Sequence, residues 1–398
     1  TTEIYTLSLH AALPISMKRT RLDKQQSFLM WLLKPLVYIW MWSDAKRKVV
    51  CDPSVDLKRK EPYVMLANHT FMFDVVHVPL RFKHTPFIIA SQTLFTKQPS
   101  KFLVTQVAHV IPKSKGKSDI STIKNIFNAI KKGYPVLIFP EGDTTFYGET
   151  GYVEESTMKL IKKLNLDVII CNVKGGYLSK PRWALGKRKR RKIELNYNLE
   201  ITKERLQTLS SEEIGVIINN ALYHNDYEYQ RKVMIPHPGK ELALGLENVV
   251  YVCPHCEGIN TIQTSGNTIT CSNCHKKGFI DKYGFIHDFV FDNLIDWNNY
   301  QRKYTEQLKK SVIKSEAVLS YMDREDDSQT IVGPIMFEYR DSFLHLTGAK
   351  EEVIPVSETT NTTITLRRDL GFVYQNLHYI IKLEHYNAAF LRVMQDKY

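Results

Sequence analysis

The stretch YVMLANHTFMFDVV, Tyr63 to Val76, decides how this chain is read. Its first five residues, Tyr63 to Ala67, have the unbroken apolar character of a strand covered on both faces. They run straight into Asn68 and His69, and Asp74 follows His69 by five positions across a mostly apolar spacer. A core strand has no use for the polar pair, and a surface turn would not be so apolar. A histidine at a strand end with an aspartate at the mouth of the next helix does have a use. The carboxylate accepts from one ring nitrogen and leaves the other basic toward a hydroxyl. Alone, the pattern is weak, because a helix-capping aspartate beside a locally bonded histidine would look the same.

The surroundings strengthen it. Pro86 to Ser91, His109 to Pro112, Pro135 to Phe139 and Asp167 to Val173 read as strands. Between them lies a helix capped by Ser118, with Ile120, Ile123, Phe127 and Ile130 on one stripe and Gly133 at its end. Glu154 to Leu164 reads as a second helix. This alternation predicts an α/β fold, a mostly parallel central sheet flanked by helices. Active sites of such sheets gather beyond the carboxyl ends of the strands. His69 and Glu141 both stand just after a strand. No Ser or Cys occupies a nucleophile motif, so direct transfer is more natural than a covalent enzyme intermediate.

The ordered motifs resemble the glycerophospholipid acyltransferase family (lysophosphatidate acyltransferase-like), whose first motif is N-H-x4-D, here Asn68, His69 and Asp74. The third, F-P-E-G-T-R-S, stands as FPEGDTT, Phe139 to Thr145. The second, an apolar run ending in Ile-x-Arg, is matched loosely by VIPK, with Lys113 in the Arg place. The fourth, an apolar strand, matches DVIICNV. Order and spacing agree over about residues 50 to 230. The resemblance implies the glycerolipid acyltransferase fold and an O-acyltransferase with His69 as general base and Asp74 orienting it. Asn68, Lys113, Glu141, Gly142 and Thr144 would serve the acceptor. It further implies acyl-CoA or acyl-carrier protein as donor, no catalytic cofactor, and a lysophospholipid acceptor, first of all 1-acylglycerol 3-phosphate, in membrane phospholipid synthesis. The alternative is the same chemistry on another lysolipid or polar lipid. Two phosphate-reading arginines of the family are replaced, by Lys113 and Thr144. A lysine offers a point charge in place of a planar fork, and a threonine only a neutral hydroxyl, so acceptor identity is less constrained than the chemistry.

Residues 1–16, TTEIYTLSLHAALPIS, resemble translated sequencing-adapter text, so a non-native leader is expected and Met17 is taken as the start. The segment 17–49 carries FLMWLLKPLVYIWMW, Phe28 to Trp42, between basic clusters. Fifteen residues interrupted by Lys34 and Pro35 fall short of the roughly 20 a bilayer span requires. Tryptophans with flanking Lys and Arg predict a monotopic or peripheral anchor on an anionic membrane, and the family resemblance implies its cytoplasmic face. A buried amphipathic helix is the bland alternative. The net charge of +12 is uneven: residues 1–240 carry +17 and residues 241–398 carry −5. A basic partner surface therefore belongs to the first 240 residues, of which 50–240 are the acyltransferase-like part. Within it GKRKRRK, Gly186 to Lys192, could contact phosphate or anionic lipid, or be a solvated loop.

Beyond residue 240 the organisation changes. Cys253, Cys256, Cys271 and Cys274 form C-x2-C-x14-C-x2-C, the two-knuckle spacing of a structural Zn2+ site, with a hairpin between. Disulfides are the alternative. Four thiolates leave no open coordination position, and His255 and His275 read as bystanders. A zinc ribbon is therefore expected over 241–290 and a helical linker over 291–316. A β-rich domain over 317–398, closed by a helix, suits a pleckstrin-homology-like barrel. The rival reading, a zinc-ribbon nucleic-acid module, fits badly, because the basic charge lies in the other part; no nucleic-acid partner is expected.

Overall fold

The computed structural model describes residues 17–395 except 92–99, 114–119, 154, 190, 324–327 and 366–367. The expected leader and the Ser118 cap lie outside the described residues. The central sheet comprises β1 (Lys46–Cys51), β2 (Val64–Ala67), β3 (Phe87–Ser91), β4 (Val110–Lys113), β5 (Val136–Ile138), β6 (Val168–Lys174) and β7 (Lys192–Ile201). Their order is β1-β7-β6-β2-β5-β3-β4. The block β6-β2-β5-β3-β4 is parallel, and β6 meets β7 antiparallel. The mostly parallel α/β expectation holds, with β1 and β7 running against the rest.

β2 sits centrally because every one of its residues is apolar and can face helices on both sides; all four are fully buried. The helix Ile120–Lys131 covers one face through Thr122, Ile126, Ala129 and Ile130. That stripe is rotated from the expected one, since Ile120 is exposed and Ile123 and Phe127 are only partly covered. Ile126, not Ile123, lies at the centre of the face. Gly133, at φ 79°, ends the helix as expected.

The helix α1 (Arg21–Asp44) opens on a capping box between Thr20 and Asp23. Its polarity is inverted with respect to an ordinary surface helix. Phe28, Trp31, Leu32, Leu36, Ile39, Trp40 and Trp42 face outward, with Trp31 70% exposed and Ile39 66%. Lys34, which interrupts the apolar run in the sequence, turns inward and donates from Nζ to the Phe82 carbonyl at 2.6 Å. Tyr38 donates to the Leu80 carbonyl at 3.1 Å. No described helix is long and apolar enough to cross a membrane. The basic residues Lys46 to Lys48, read as the anchor's flank, are the first half of β1, paired with β7. The 49/50 boundary therefore cuts a strand.

Four short strands form the cysteine-bearing unit: β8 (Ile262–Ser265), β9 (Thr268–Cys271), β10 (Lys277–Ile280) and β11 (Ile286–His287). A helix, Leu294–Gln301, and a further turn lead to the β-rich region. That region is β12 (Ile313–Met322), β13 (Gln329–Arg340), β14 (Phe343–Gly348), β15 (Glu352–Pro355), β16 (Thr360–Thr365), β17 (Asp369–Tyr374) and β18 (Leu377–Leu383). They are antiparallel in the order β15-β14-β13-β12-β18-β17-β16, and the helix Asn387–Met394 closes the core. The boundary expected at residues 316/317 falls inside β12. β12 is the central strand, and joins the two halves by pairing with both β13 and β18.

Candidate active site and four-cysteine cluster

β2 ends at Ala67, and Asn68 prolongs its ladder with a side chain. Asn68 Nδ2 donates to the Val173 carbonyl at 2.9 Å, and its Oδ1 accepts from Val173 N–H at 2.7 Å. An amide offers both groups at the right separation, which explains the asparagine before the histidine. The backbone of His69 is held from both ends: its N–H donates to Glu141 Oε1 at 2.6 Å, and its carbonyl accepts from Thr145 N–H at 2.8 Å. The ring lies against Phe139, centroids 4.6 Å apart.

Asp74 is the first residue of α2 (Asp74–His77) and is fully buried. Its Oδ2 accepts from Thr70 N–H at 2.7 Å and Phe71 N–H at 3.2 Å. It therefore braces the turn that precedes its own helix, which has no side-chain cap, and reaches His69 Nδ1, at 3.0 Å from Oδ2 and 2.9 Å from Oδ1. Of the two interpretations left open by the sequence, the helix cap falls and the contact with His69 stands. Burial pulls the His69 pKa down, but the charge and hydrogen bond of Asp74, aided by Asp143 and Glu141, raise it above the ordinary value. With Nδ1 on Asp74, Nε2 is the nitrogen left to take a proton in the narrow cleft that His69 lines.

Glu141 turns both oxygens onto backbone, Oε1 to His69 N–H and Oε2 to Gly151 N–H, each at 2.6 Å. It joins the His69 turn to the loop after β5. Burial pushes its carboxyl up to about 7, although both N–H groups pull the other way. Gly142 makes the turn itself, at φ 74°, a backbone conformation that side chains disfavour; a Cβ there would meet nothing within 4 Å, so the requirement is conformational. Thr144 gives its carbonyl to Arg182 Nη1 at 3.1 Å.

These groups can hold a neutral imidazole against a hydroxyl and move its proton, with no nucleophile of their own. Residues 48–174 match the family model described as Acyltransferase. This part of the chain is an acyltransferase domain. A crystal structure similar to the chain is that of the 1-acyl-sn-glycerophosphate (LPA) acyltransferase PlsC from Thermotoga maritima. It is 17% identical, over 52% of this chain and 82% of that one, with a TM-score of 0.41. No curated protein matches.

Of the expected acyltransferase residues, His69, Asp74, Asn68, Glu141 and Gly142 are gathered at the ends of β2 and β5. Lys113 is not gathered with them. It is exposed at the end of edge strand β4, three strands from β2 and so roughly 14 Å away across the sheet. The basic run turns partly inward: Arg188 donates to the Leu178 carbonyl at 2.6 Å, and Arg191 pairs with Asp44 at the end of α1. Lys187, Lys189 and Lys192 are exposed, and Arg190 lies outside the described residues.

Two features of the acyltransferase site escaped the sequence. The buried guanidinium of Arg182 pairs with Asp143 at 2.8 Å, stacks 4.0 Å from the centre of the Phe146 ring and donates to the carbonyl of Ile364 in β16. The β-rich region thus holds the active-site loop. His224, bonded through Nε2 to Asp226 Oδ1 at 2.6 Å, lines the same cleft as His69. No motif marks either residue.

The four cysteines converge, their sulfurs within 4.8 Å of one another. Sulfurs of Cys253 and Cys274 are 3.9 Å apart, and those of Cys256 and Cys271 are 3.7 Å apart. Tetrahedral ligands at 2.3 Å from a zinc ion would be about 3.8 Å apart. All four are free of disulfides, so that alternative falls. Glu257 and His275, each just past a knuckle, have φ near 60° and donate their N–H to the first cysteine's carbonyl. His275 is therefore a turn residue. The cluster can hold a metal ion.

Proposed function

We propose that this acyltransferase esterifies a hydroxyl of a lysophospholipid with the acyl group of acyl-CoA or acyl-carrier protein. His69 Nε2 takes the hydroxyl proton as that oxygen attacks the thioester carbonyl. The new C–O bond forms, the C–S bond breaks, and the departing thiolate receives the proton from His69. The observation that carries this reading is the His69–Asp74 pair at the cleft, with Nδ1 engaged and Nε2 left over. The simplest acceptor of this class is 1-acylglycerol 3-phosphate, in phospholipid synthesis. Incubating the purified chain and acyl-CoA with a panel of lysolipids, with products identified by mass spectrometry, tests it. No acylated lysolipid from any member of the panel would overturn it.

Lys113 enters this reading only as a distant contact. An exposed charge contributes about 0.2–1 kcal/mol, so Lys113→Ala should lower kcat/KM for 1-acylglycerol 3-phosphate by less than about fivefold. A loss of a hundredfold would place the headgroup phosphate on the edge strand instead.

We also propose that α1 lies in the plane of an anionic membrane. Its outward face is apolar, its lysine points into the protein, and Lys46 and Lys48 follow beside it. The proposed donors, acyl-CoA and acyl-carrier protein, are cytoplasmic molecules, which supports the cytoplasmic face. Burying a large apolar side chain is worth about 1.5–3 kcal/mol, so the Trp31→Ser, Ile39→Ser double variant should bind anionic vesicles at least about tenfold more weakly. Unchanged sedimentation with vesicles would refute the anchor.

In the four-cysteine unit, Cys253, Cys256, Cys271 and Cys274 would hold a structural Zn2+, as in a zinc ribbon, with no part in the transfer. The strand order of the β-rich region and its closing helix support the pleckstrin-homology-like reading of that domain.

A further inference from the structure

The walls of the catalytic cleft divide into groups the fold uses and groups it leaves over. Asn68 is bonded at both ends to Val173, and Glu141 at both oxygens to backbone N–H groups. Thr145 Oγ1 donates to the Glu149 carbonyl at 2.6 Å and accepts from Gly148 N–H at 3.1 Å. Thr150 Oγ1 donates to the Leu222 carbonyl at 3.0 Å and accepts from His224 N–H at 2.9 Å. Each of these side chains is fixed by backbone partners at every polar atom.

What remains is His69 Nε2, the Thr70 hydroxyl, the Glu149 carboxylate and the second nitrogen of His224. Thr70 is 3% exposed, and its Oγ1 has no hydrogen-bond partner among the described residues. His224 is 8% exposed and is held firmly. Its Nε2 donates to Asp226, whose two oxygens also accept from Gly175 N–H at 2.7 Å and Leu178 N–H at 2.9 Å. With Nε2 turned to Asp226, Nδ1 is the ring atom left to accept. The groups left over are therefore mainly acceptors. No Lys or Arg is among the described residues that line the cleft, and Arg182, the nearest buried cation to the loop, is committed to Asp143, Thr144 and Ile364. A phosphate brings only acceptors and would find little here; a second hydroxyl brings the donor that His224 lacks.

We propose that His224, oriented by Asp226, determines acceptor specificity by accepting a hydrogen bond from a second hydroxyl next to the one that reacts, so that the acceptor is a lysolipid with a diol or polyol headgroup. This rests on the acyl transfer proposed at His69 and replaces the phosphate acceptor named there by one whose neighbouring hydroxyl is free. His69 activates one hydroxyl, while its neighbour stays unreacted on His224. Asp226 acts through His224 and is a positioning residue.

The decisive pair of acceptors is 1-acylglycerol and 1-acylglycerol 3-phosphate, which differ only in whether the neighbouring hydroxyl is free or phosphorylated. Lysophosphatidylglycerol, which carries both a phosphate and a terminal diol, is a third. With the purified full chain and acyl-CoA, kcat/KM for 1-acylglycerol should exceed that for its phosphate by about tenfold, the value of one good hydrogen bond. His224→Ala should erase that ratio, and His224→Asn, whose amide oxygen can stand near Nδ1, should restore part of it. A ratio measured within one preparation does not depend on how much of a variant is folded. If the chain acylates these acceptors but the ratio favours the phosphate, or is the same in His224→Ala, this inference fails and the transfer at His69 stands. If no acceptor is acylated, both fail.

Discussion

His69→Ala is expected to lower turnover by about 10² to 10⁴-fold, the usual contribution of a general base, while leaving the fold intact. The ring packs against Phe139 at the cleft, and its backbone contacts to Glu141 and Thr145 survive the substitution. Asp74→Asn should cost much of the activity too, because an amide cannot accept from Nδ1 and the two backbone N–H groups as a carboxylate does. The pH dependence separates the roles. His69 acts when neutral, and Asp74 raises its pKa above the ordinary value of about 6.5. The acid limb of kcat/KM should therefore lie above pH 6.5, with activity rising as pH rises through it. Removing the negative charge lowers the pKa, so in Asp74→Asn the limb should move to lower pH even as the plateau falls. Glu141, pushed up to about 7, titrates in the same window and makes the limb composite. Asp74 raises Glu141 as well, so Asp74→Asn should move both groups in the same direction, to lower pH. Near-full turnover in His69→Ala, or an unmoved limb in Asp74→Asn, would sink the assignment.

Loss of the metal should have the second largest effect, and it should reach the active site. Structural zinc sites in small peptides bind with about 10–16 kcal/mol, and that binding is coupled to folding. Cys271→Ser removes a buried ligand, so metal content and thermal stability should both drop. Activity should drop with them, because the cysteine unit holds the catalytic loop: Tyr147 donates to the Val249 carbonyl at 3.1 Å, and Phe146 packs against both the cysteine-bearing core and the β-rich core. The checks are elemental analysis, thermal unfolding and the transfer assay on one preparation. Protein purified without chelator and lacking stoichiometric zinc would refute the zinc site. Full activity after metal loss would refute its link to the loop.

The His69–Asp74 pair and the cysteine cluster were legible because each is local in sequence. Four residues separate His69 from Asp74, and each knuckle spans four. The strands of the parallel block were legible through unbroken apolar runs. What escaped depends on distant partners. β1 reads as a basic flank because its charged residues alternate on an exposed edge, and only pairing with β7 makes it a strand. β12 does alternate, burying Ile313, Ser315, Ala317 and Leu319, but a serine and an alanine weaken the pattern. Lys34 looked like a break in an anchor because nothing local says that it finds the Phe82 carbonyl. Arg182 lies 38 residues from Thr144 and 182 from Ile364. No spacing rule joins them.

The loop that stabilises His69 emerges from the ribosome well before the residues that hold it. Val249, Gln301 and Ile364 all lie downstream of Tyr147 and Arg182. Domains fold in the order of their synthesis, at about 5–20 residues per second. The catalytic domain is therefore expected to wait several seconds with Phe146 uncovered and Arg182 short of a partner. An enzyme built this way should stay silent on the nascent chain and switch on only when β16 arrives, so that no partial product, at the membrane or off it, consumes acyl donor.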